Sequence, residues 1–150
     1  MNLWVLIMPK VISIHQAISD KAMVYLARRE HARTELYRKV IRHFEDDVTT
    51  VNEVLDHLAQ RNLQSDTRYA EMYIRARMHA GFGPARIRME MVQKGVAPEV
   101  AELALDDAEV DWAAQAHAAL IKKFGLSEAE DFAAAMKRKK FMFQRGFQEM

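Results

Sequence analysis

One short stretch of this chain returns at a fixed interval. Met91-Val92-Gln93-Lys94-Gly95-Val96 comes back as Met142-Phe143-Gln144-Arg145-Gly146-Phe147 fifty-one residues later, and a worn copy, Val40-Ile41-Arg42-His43-Phe44, lies fifty-one residues earlier. A period of this length exceeds a single secondary element and falls short of a domain. Such a chain stacks small units, each burying apolar surface on its neighbour.

The repeating unit reads as helical. Only three prolines and five glycines interrupt 150 residues, half of which are hydrophobic. Alanine, leucine, methionine, arginine, lysine and glutamate dominate, and these side chains lose little freedom in a helix. Helical spacing predicts a first helix near Asp20 to Glu30, carrying Ala22, Tyr25, Leu26 and Arg29, and a second from Ala32 that turns Leu36, Val40 and Ile41 inward. Thr50-x-x-Glu53 reads as a capping box that opens a third, with Val51, Val54, Leu55 and Leu58 buried. The second unit begins near Asp66 with a stripe of Tyr69, Met72, Tyr73 and Ala76. Gly81-Phe82-Gly83-Pro84 breaks it, Pro84 suits a helix start, and Gly95 ends that helix in a left-handed conformation. Pro98 opens the next, with Val100, Ala101, Leu103, Ala104 and Leu105. The third unit carries Trp112, Ala116, Ala119 and Leu120, a stop at Phe124-Gly125, a second capping box at Ser127-x-x-Glu130, then Phe132, Met136 and Phe143 before Gly146. The expected fold is all-α: an elongated array of tandem three-helix, helix-turn-helix-like repeats, the last incomplete. An apolar N-terminal segment (1–16) precedes repeats at 17–64, 65–106 and 107–150. In an incomplete last repeat Phe143 and Phe147 are expected to be uncovered. Pairs at i, i+4 support the register: Glu71 with Arg75, Arg86 with Glu90, Glu90 with Lys94.

Enzyme chemistry is thin. The six histidines form no HExxH or other close metal pattern, and there is no P-loop, GxGxxG or GxSxG. No cysteine is present, which removes disulfides and thiolate chemistry and fits a reducing cytoplasm. The N-terminal apolar run is too short to span a membrane and lacks a signal-peptide pattern, so it reads as a flap over core. The acidic clusters Asp46-Asp47, Asp106-Asp107-Glu109-Asp111 and Glu128-Glu130-Asp131 read as solvated helix starts that complement the helix dipole. No catalytic residue, cofactor or metal is expected.

The basic residues say more. With a net charge of +1, attraction to a polyanion must come from local segregation. Arg28, Arg29, Arg33, Arg38, Lys39 and Arg42 mark the first unit, Arg75, Arg77, Arg86, Arg88 and Lys94 the second, and Lys122, Lys123, the Lys137–Lys140 run and Arg145 the third. Repeated along an array, they read either as a basic stripe for an extended acidic partner or as an ordinary solvated surface. Tyr69, Tyr73 and Trp112 read as core. Phe82, between two glycines, either tucks into the neighbouring unit or touches a partner.

Arg68-Tyr69-Ala70-Glu71 with Arg75-x-Arg77, followed by Gly81-Phe82-Gly83-Pro84-x-Arg86-Ile87-Arg88-x-Glu90-Met91-x-x-Lys94-Gly95-Val96, closely resembles the RecX regulatory family. Tyr25-Leu26-Ala27-Arg28-Arg29-Glu30-His31-Ala32-Arg33 resembles its opening motif, and Lys122-Lys123-Phe124-Gly125 with Arg145-Gly146-Phe147 its third-unit signatures. The likeness runs from about Ala17 to Met150. Two positions depart: Ala32 replaces a frequent serine cap, and Phe44 a helix-ending glycine. The resemblance implies a regulator, not an enzyme, that binds the RecA recombinase in the groove of its filament on single-stranded DNA and suppresses strand exchange, ATP hydrolysis and co-protease action. Arg28, Arg29, Arg75, Arg77, Arg86, Arg88 and Lys94 are the expected contacts, with Lys122 and Lys123 secondary. A monomer without membrane association is expected. The competing expectation is a helical module that binds DNA directly.

Overall fold

The computed structural model describes residues 12–148. Among them are eight α-helices and no strand: α1 (Ile14–Arg28), α2 (Arg33–Ile41), α3 (Val48–Gln60), α4 (Asp66–His79), α5 (Pro84–Gln93), α6 (Pro98–Asp107), α7 (Trp112–Phe124) and α8 (Phe132–Arg145). The chain is all-α, as its composition and spacing require. The expected N-terminal flap lies largely outside the described residues.

Helix starts follow local chemistry. Ser13, Ser65, Asp111 and Asp131 each accept a hydrogen bond from the backbone amide three residues on, and such caps contribute about 0.5–2 kcal/mol. Pro84 and Pro98 occupy first turns, where a missing amide costs nothing. Four expectations are corrected. The Ser13 cap starts α1 at Ile14, upstream of Asp20. Helix α3 starts at Val48 after Asp47, so Thr50 lies inside the first turn and caps nothing. Asp131, not Ser127, caps α8, donated to by Ala134 N at 2.7 Å; the Ser127 carbonyl instead accepts from Arg138 Nη1 at 2.8 Å. Asp106 and Asp107 close α6 rather than open a helix, so dipole complementarity does not explain them.

Three groups of helices each enclose apolar residues. In the first, Ile18 and Ala22 of α1 meet Leu36 and Val40 of α2 and Val51, Val54, Leu55 and Leu58 of α3. In the second, Tyr69, Ala70 and Ile74 of α4 pack with Ile87 and Met91 of α5 and Ala101, Ala104 and Leu105 of α6. Ala32 from the first group is buried in this second cluster, and Trp112 touches both the second and the third. Among the described residues the third group has only α7 and α8 and buries just Ala116, Met142 and Phe147. Phe147 is thus covered, contrary to expectation, whereas Phe143 and Phe132 stand 63% and 81% exposed.

The recurring hexapeptide is a helix-ending device. Gly95 N donates to Val92 O and Val96 N to Met91 O; Gly146 N donates to Phe143 O and Phe147 N to Met142 O, all at 3.0 Å. This paired closure needs a left-handed residue, supplied by Gly95 at φ +92° and Gly146 at φ +98°. The buried pairs Met91–Val96 and Met142–Phe147 provide its apolar clasp. Phe44, at the matching place in the first group, does not adopt a positive φ. There the chain turns directly into α3, with Asp47 N donating to Phe44 O at 2.9 Å.

Candidate partner-binding surface

The two glycine ends also dock the groups onto one another. Gly95 sits on the first turn of α2, where an added methyl would lie 2.6 Å from Thr34 Cβ. Gly146 sits on the first turn of α5, where a methyl would meet Arg86 N at 2.6 Å, and a methyl on Gly83 would meet the Gly146 carbonyl at 2.6 Å. At this second junction the backbones pair directly. Gly83 N donates to Arg145 O at 2.7 Å and Ala85 N to Gly146 O at 3.2 Å, so the carbonyl end of α8 satisfies the open amides of α5. The first group has no such task for Phe44 among the described residues, which accounts for the missing glycine.

The junction between the first and second groups is held by side chains. Asp66 Oδ1 accepts from Arg33 N at 2.8 Å and from Gln64 Nε2 at 3.0 Å, and Gln64 Nε2 also reaches His31 O at 3.2 Å. Arg68 Nε donates to Glu30 at 2.9 Å. His31 is buried; its Nδ1 faces Arg29 O at 3.0 Å and its Nε2 faces Lys39 Nζ at 2.9 Å. That geometry makes Nδ1 the donor and Nε2 the acceptor, a neutral ring. Burial lowers the His31 pKa, helped by Arg29 and Lys39 and opposed by its backbone hydrogen bond and Glu35.

Beside the junction between the second and third groups, Glu90 and Phe82 gather the arginines of the second group, and Arg86 Nη1 crosses to donate to Gln144 O of α8 at 3.0 Å. Arg77 grips Glu90 through Nε and Nη2 at 2.9 and 2.8 Å, Arg86 Nε adds 3.0 Å, and the Tyr73 hydroxyl donates at 2.7 Å. Burial disfavours the Glu90 carboxylate, but the hydrogen bonds from Arg77, Tyr73 and Arg86 outweigh it and hold its pKa below the usual value. Burial, then the bond to Glu90, pushes the Tyr73 phenol up. The Phe82 ring is caged by guanidinium carbons of Arg77, Arg145 and Arg86 at 3.8, 4.5 and 4.6 Å from its centroid. Phe82 therefore tucks inward. Three cations against one carboxylate leave the cluster net positive.

The expected contact residues divide by what they already touch. Arg77 and Arg86 are bound to Glu90. Arg29 is paired with Glu35, which its guanidinium keeps charged against the cost of burial. Arg88 pairs with Glu102 at 2.6 Å in the open, and that hydrogen bond lowers the Glu102 pKa. Lys94 lies 5.7 Å from the Tyr73 ring instead of pairing with Glu90, and Glu71 forms no ion pair with Arg75. Arg28, Arg75, Lys122 and Lys123 are exposed and have no carboxylate partner among the described residues. The Arg86–Glu90 pair was expected; the Arg77 and Tyr73 contacts to Glu90 and the Arg145 contact to Phe82 were missed from sequence. The signal available was the repeat itself, which aligns Arg145-Gly146 with Lys94-Gly95. The described residues hold no cluster of three or more metal-ligating side chains, and no helix among them is long and apolar enough to cross a membrane.

The fold and this surface define a class: a helical array with cations distributed over its groups and a net-positive joint between the last two. The family model described as "RecX, second three-helix domain" matches residues 65–105. The chain is 42% identical over 132 residues to the regulatory protein RecX of Halorhodospira halophila, covering 88% of this chain and 81% of that one. It is 39% identical over 140 residues to that of Pseudomonas putida strain GB-1, covering 93% and 89%. The crystal structure of RecX from Lactobacillus salivarius shares the fold at TM-score 0.70 and 24% identity, over 89% of this chain and 88% of that one. This chain belongs to the RecX regulatory family.

Proposed function

We propose that this chain is a non-enzymatic regulator that binds the RecA recombinase and the filament RecA forms on single-stranded DNA. It inhibits strand exchange, ATP hydrolysis and co-protease action, and thereby modulates DNA repair and the SOS response. Membership of the regulatory family along about nine-tenths of the chain carries this reading. The array supplies the physical means: groups at 17–64, 65–106 and 107–150 act as successive units that follow a repeating polymer, and binding that prefers one filament state shifts its assembly. The partner-facing cations are Arg28, Arg75, Lys122 and Lys123, with Lys94 beside them. Arg29, Arg77, Arg86 and Arg88 support the surface through their carboxylate partners.

The test compares binding of the purified chain to single-stranded DNA alone, RecA alone and the assembled filament. Preferential binding to the filament with loss of its ATPase supports the reading. Equal affinity for bare DNA, falling steeply with salt, would replace it with direct nucleic-acid binding.

A further inference from the structure

We propose that the cleft between the end of α4 and the α7–α8 pair binds an acidic protein segment bearing an apolar side chain. The cleft encloses about 350 Å³. His79, Lys122, Lys123 and Arg145 line it, and no aspartate or glutamate does. Met78, Ala118, Ala119 and Phe141 give it an apolar side. Four basic side chains, with the Gln115 amide beside them, around apolar surface are complementary to carboxylates flanking a buried aliphatic or aromatic side chain.

The cleft is built rather than incidental. Arg145 is fixed from three directions: its Nη1 donates to Ala80 O at 3.3 Å, its carbonyl accepts from Gly83 N at 2.7 Å, and its guanidinium lies 5.1 Å from the Phe141 centroid. A positioned guanidinium loses little freedom on meeting a carboxylate. Lys122 and Lys123, at the last turn of α7, are exposed and have no anionic partner among the described residues.

A protein segment suits the site better than a nucleic-acid strand. Single strands are held by stacking bases on open aromatic faces. Phe141 is already engaged: Lys123 and Arg145 lie over its ring at 5.7 and 5.1 Å, and Phe124 packs perpendicular to it at 87° with centroids 5.4 Å apart. Those cations favour carboxylates at the rim and leave the alanine and methionine surface for an apolar side chain.

The probe is a fluorescein-labelled synthetic peptide with a Leu-Phe pair between runs of glutamate, titrated against the full chain by anisotropy. It contains neither RecA nor DNA, so the outcome is independent of the filament reading. The wild-type chain binds it, and Lys122→Glu with Lys123→Glu weakens binding about tenfold or more, the scale of losing charge-assisted contacts. Replacing Leu-Phe in the peptide by Ser-Ser weakens it comparably. Lys139→Glu with Arg61→Glu, neither of which lines the cleft and the first of which borders a different one, leaves affinity unchanged; circular dichroism checks that each variant is folded. Equal loss in that control, indifference to the Leu-Phe pair, absence of binding, or displacement of the peptide by oligothymidylate that binds through the same lysines would overturn the proposal.

Discussion

The two junctions of this array solve one docking problem by different means. Between the second and third groups, backbone meets backbone: the carbonyls of Arg145 and Gly146 reach the amides of Gly83 and Ala85, and arginines from both sides close over Phe82. Between the first and second, Asp66, Gln64 and buried His31 provide the link, and Gly95 abuts a side chain, Thr34. A backbone junction tolerates no added atom but is insensitive to mild acid. A side-chain junction accommodates steric change, yet inherits the titration of its histidine.

The largest effect is expected at Gly83. Gly83→Ala places a methyl 2.6 Å from backbone that cannot rotate away, and should cost about 2–3 kcal/mol in urea unfolding. Gly95→Ala is also costly, but its steric part can be relieved. Measured against Thr34→Gly, the same change should cost only about 1–2 kcal/mol, the residue of a left-handed alanine. Equal costs in both backgrounds would remove the distinction between the junctions.

Next in size is Glu90→Gln, which leaves Arg77 and Arg86 facing a neutral amide in a site where the Glu90 side chain is 14% exposed. We expect a loss of about 2 kcal/mol and earlier proteolytic release of α7–α8. Glu102→Gln, whose partner Arg88 shares an exposed pair, should leave the unfolding curve unchanged within error.

A smaller effect than that of Glu90→Gln is expected on pH dependence. The His31 pKa is lowered from 6.5 in the folded chain, so its contribution is complete above that unfolded value and declines as pH falls toward the folded one. Glu90 and Glu35, lowered from 4.5, lose theirs only as pH falls below that unfolded value toward the folded ones. Thermal unfolding between pH 7 and 5 should therefore weaken through His31 first, and His31→Gln should flatten that slope. A slope that survives the substitution would place the titration elsewhere.

Much of this was legible in the sequence because helices and repeats are local. Pro84, Pro98, Gly95 and Gly146 announced their roles through fixed backbone preferences, and Arg86 found Glu90 at the predicted spacing. Capping was less legible. Thr50 and Ser127 matched a pattern, but α3 began two residues earlier at Val48 and Asp131 supplied the cap next to α8. The surface was least legible, since ion pairs across helices depend on packing. Arg77 with Glu90 and Arg88 with Glu102 join different helices, so sequence placed these arginines with the partner-facing cations although each already has an anion.

The central claim is that the cations without an internal carboxylate partner meet the filament. Its most direct measurement is inhibition of RecA filament ATPase by the wild-type chain and by the combined variant Arg28→Glu, Arg75→Glu, Lys122→Glu and Lys123→Glu, with Arg88→Glu plus Glu102→Arg as a charge-swapped control. The account predicts that the combined variant stays helical but loses inhibition by at least about tenfold, while the control keeps it. Full inhibition by the combined variant would contradict it.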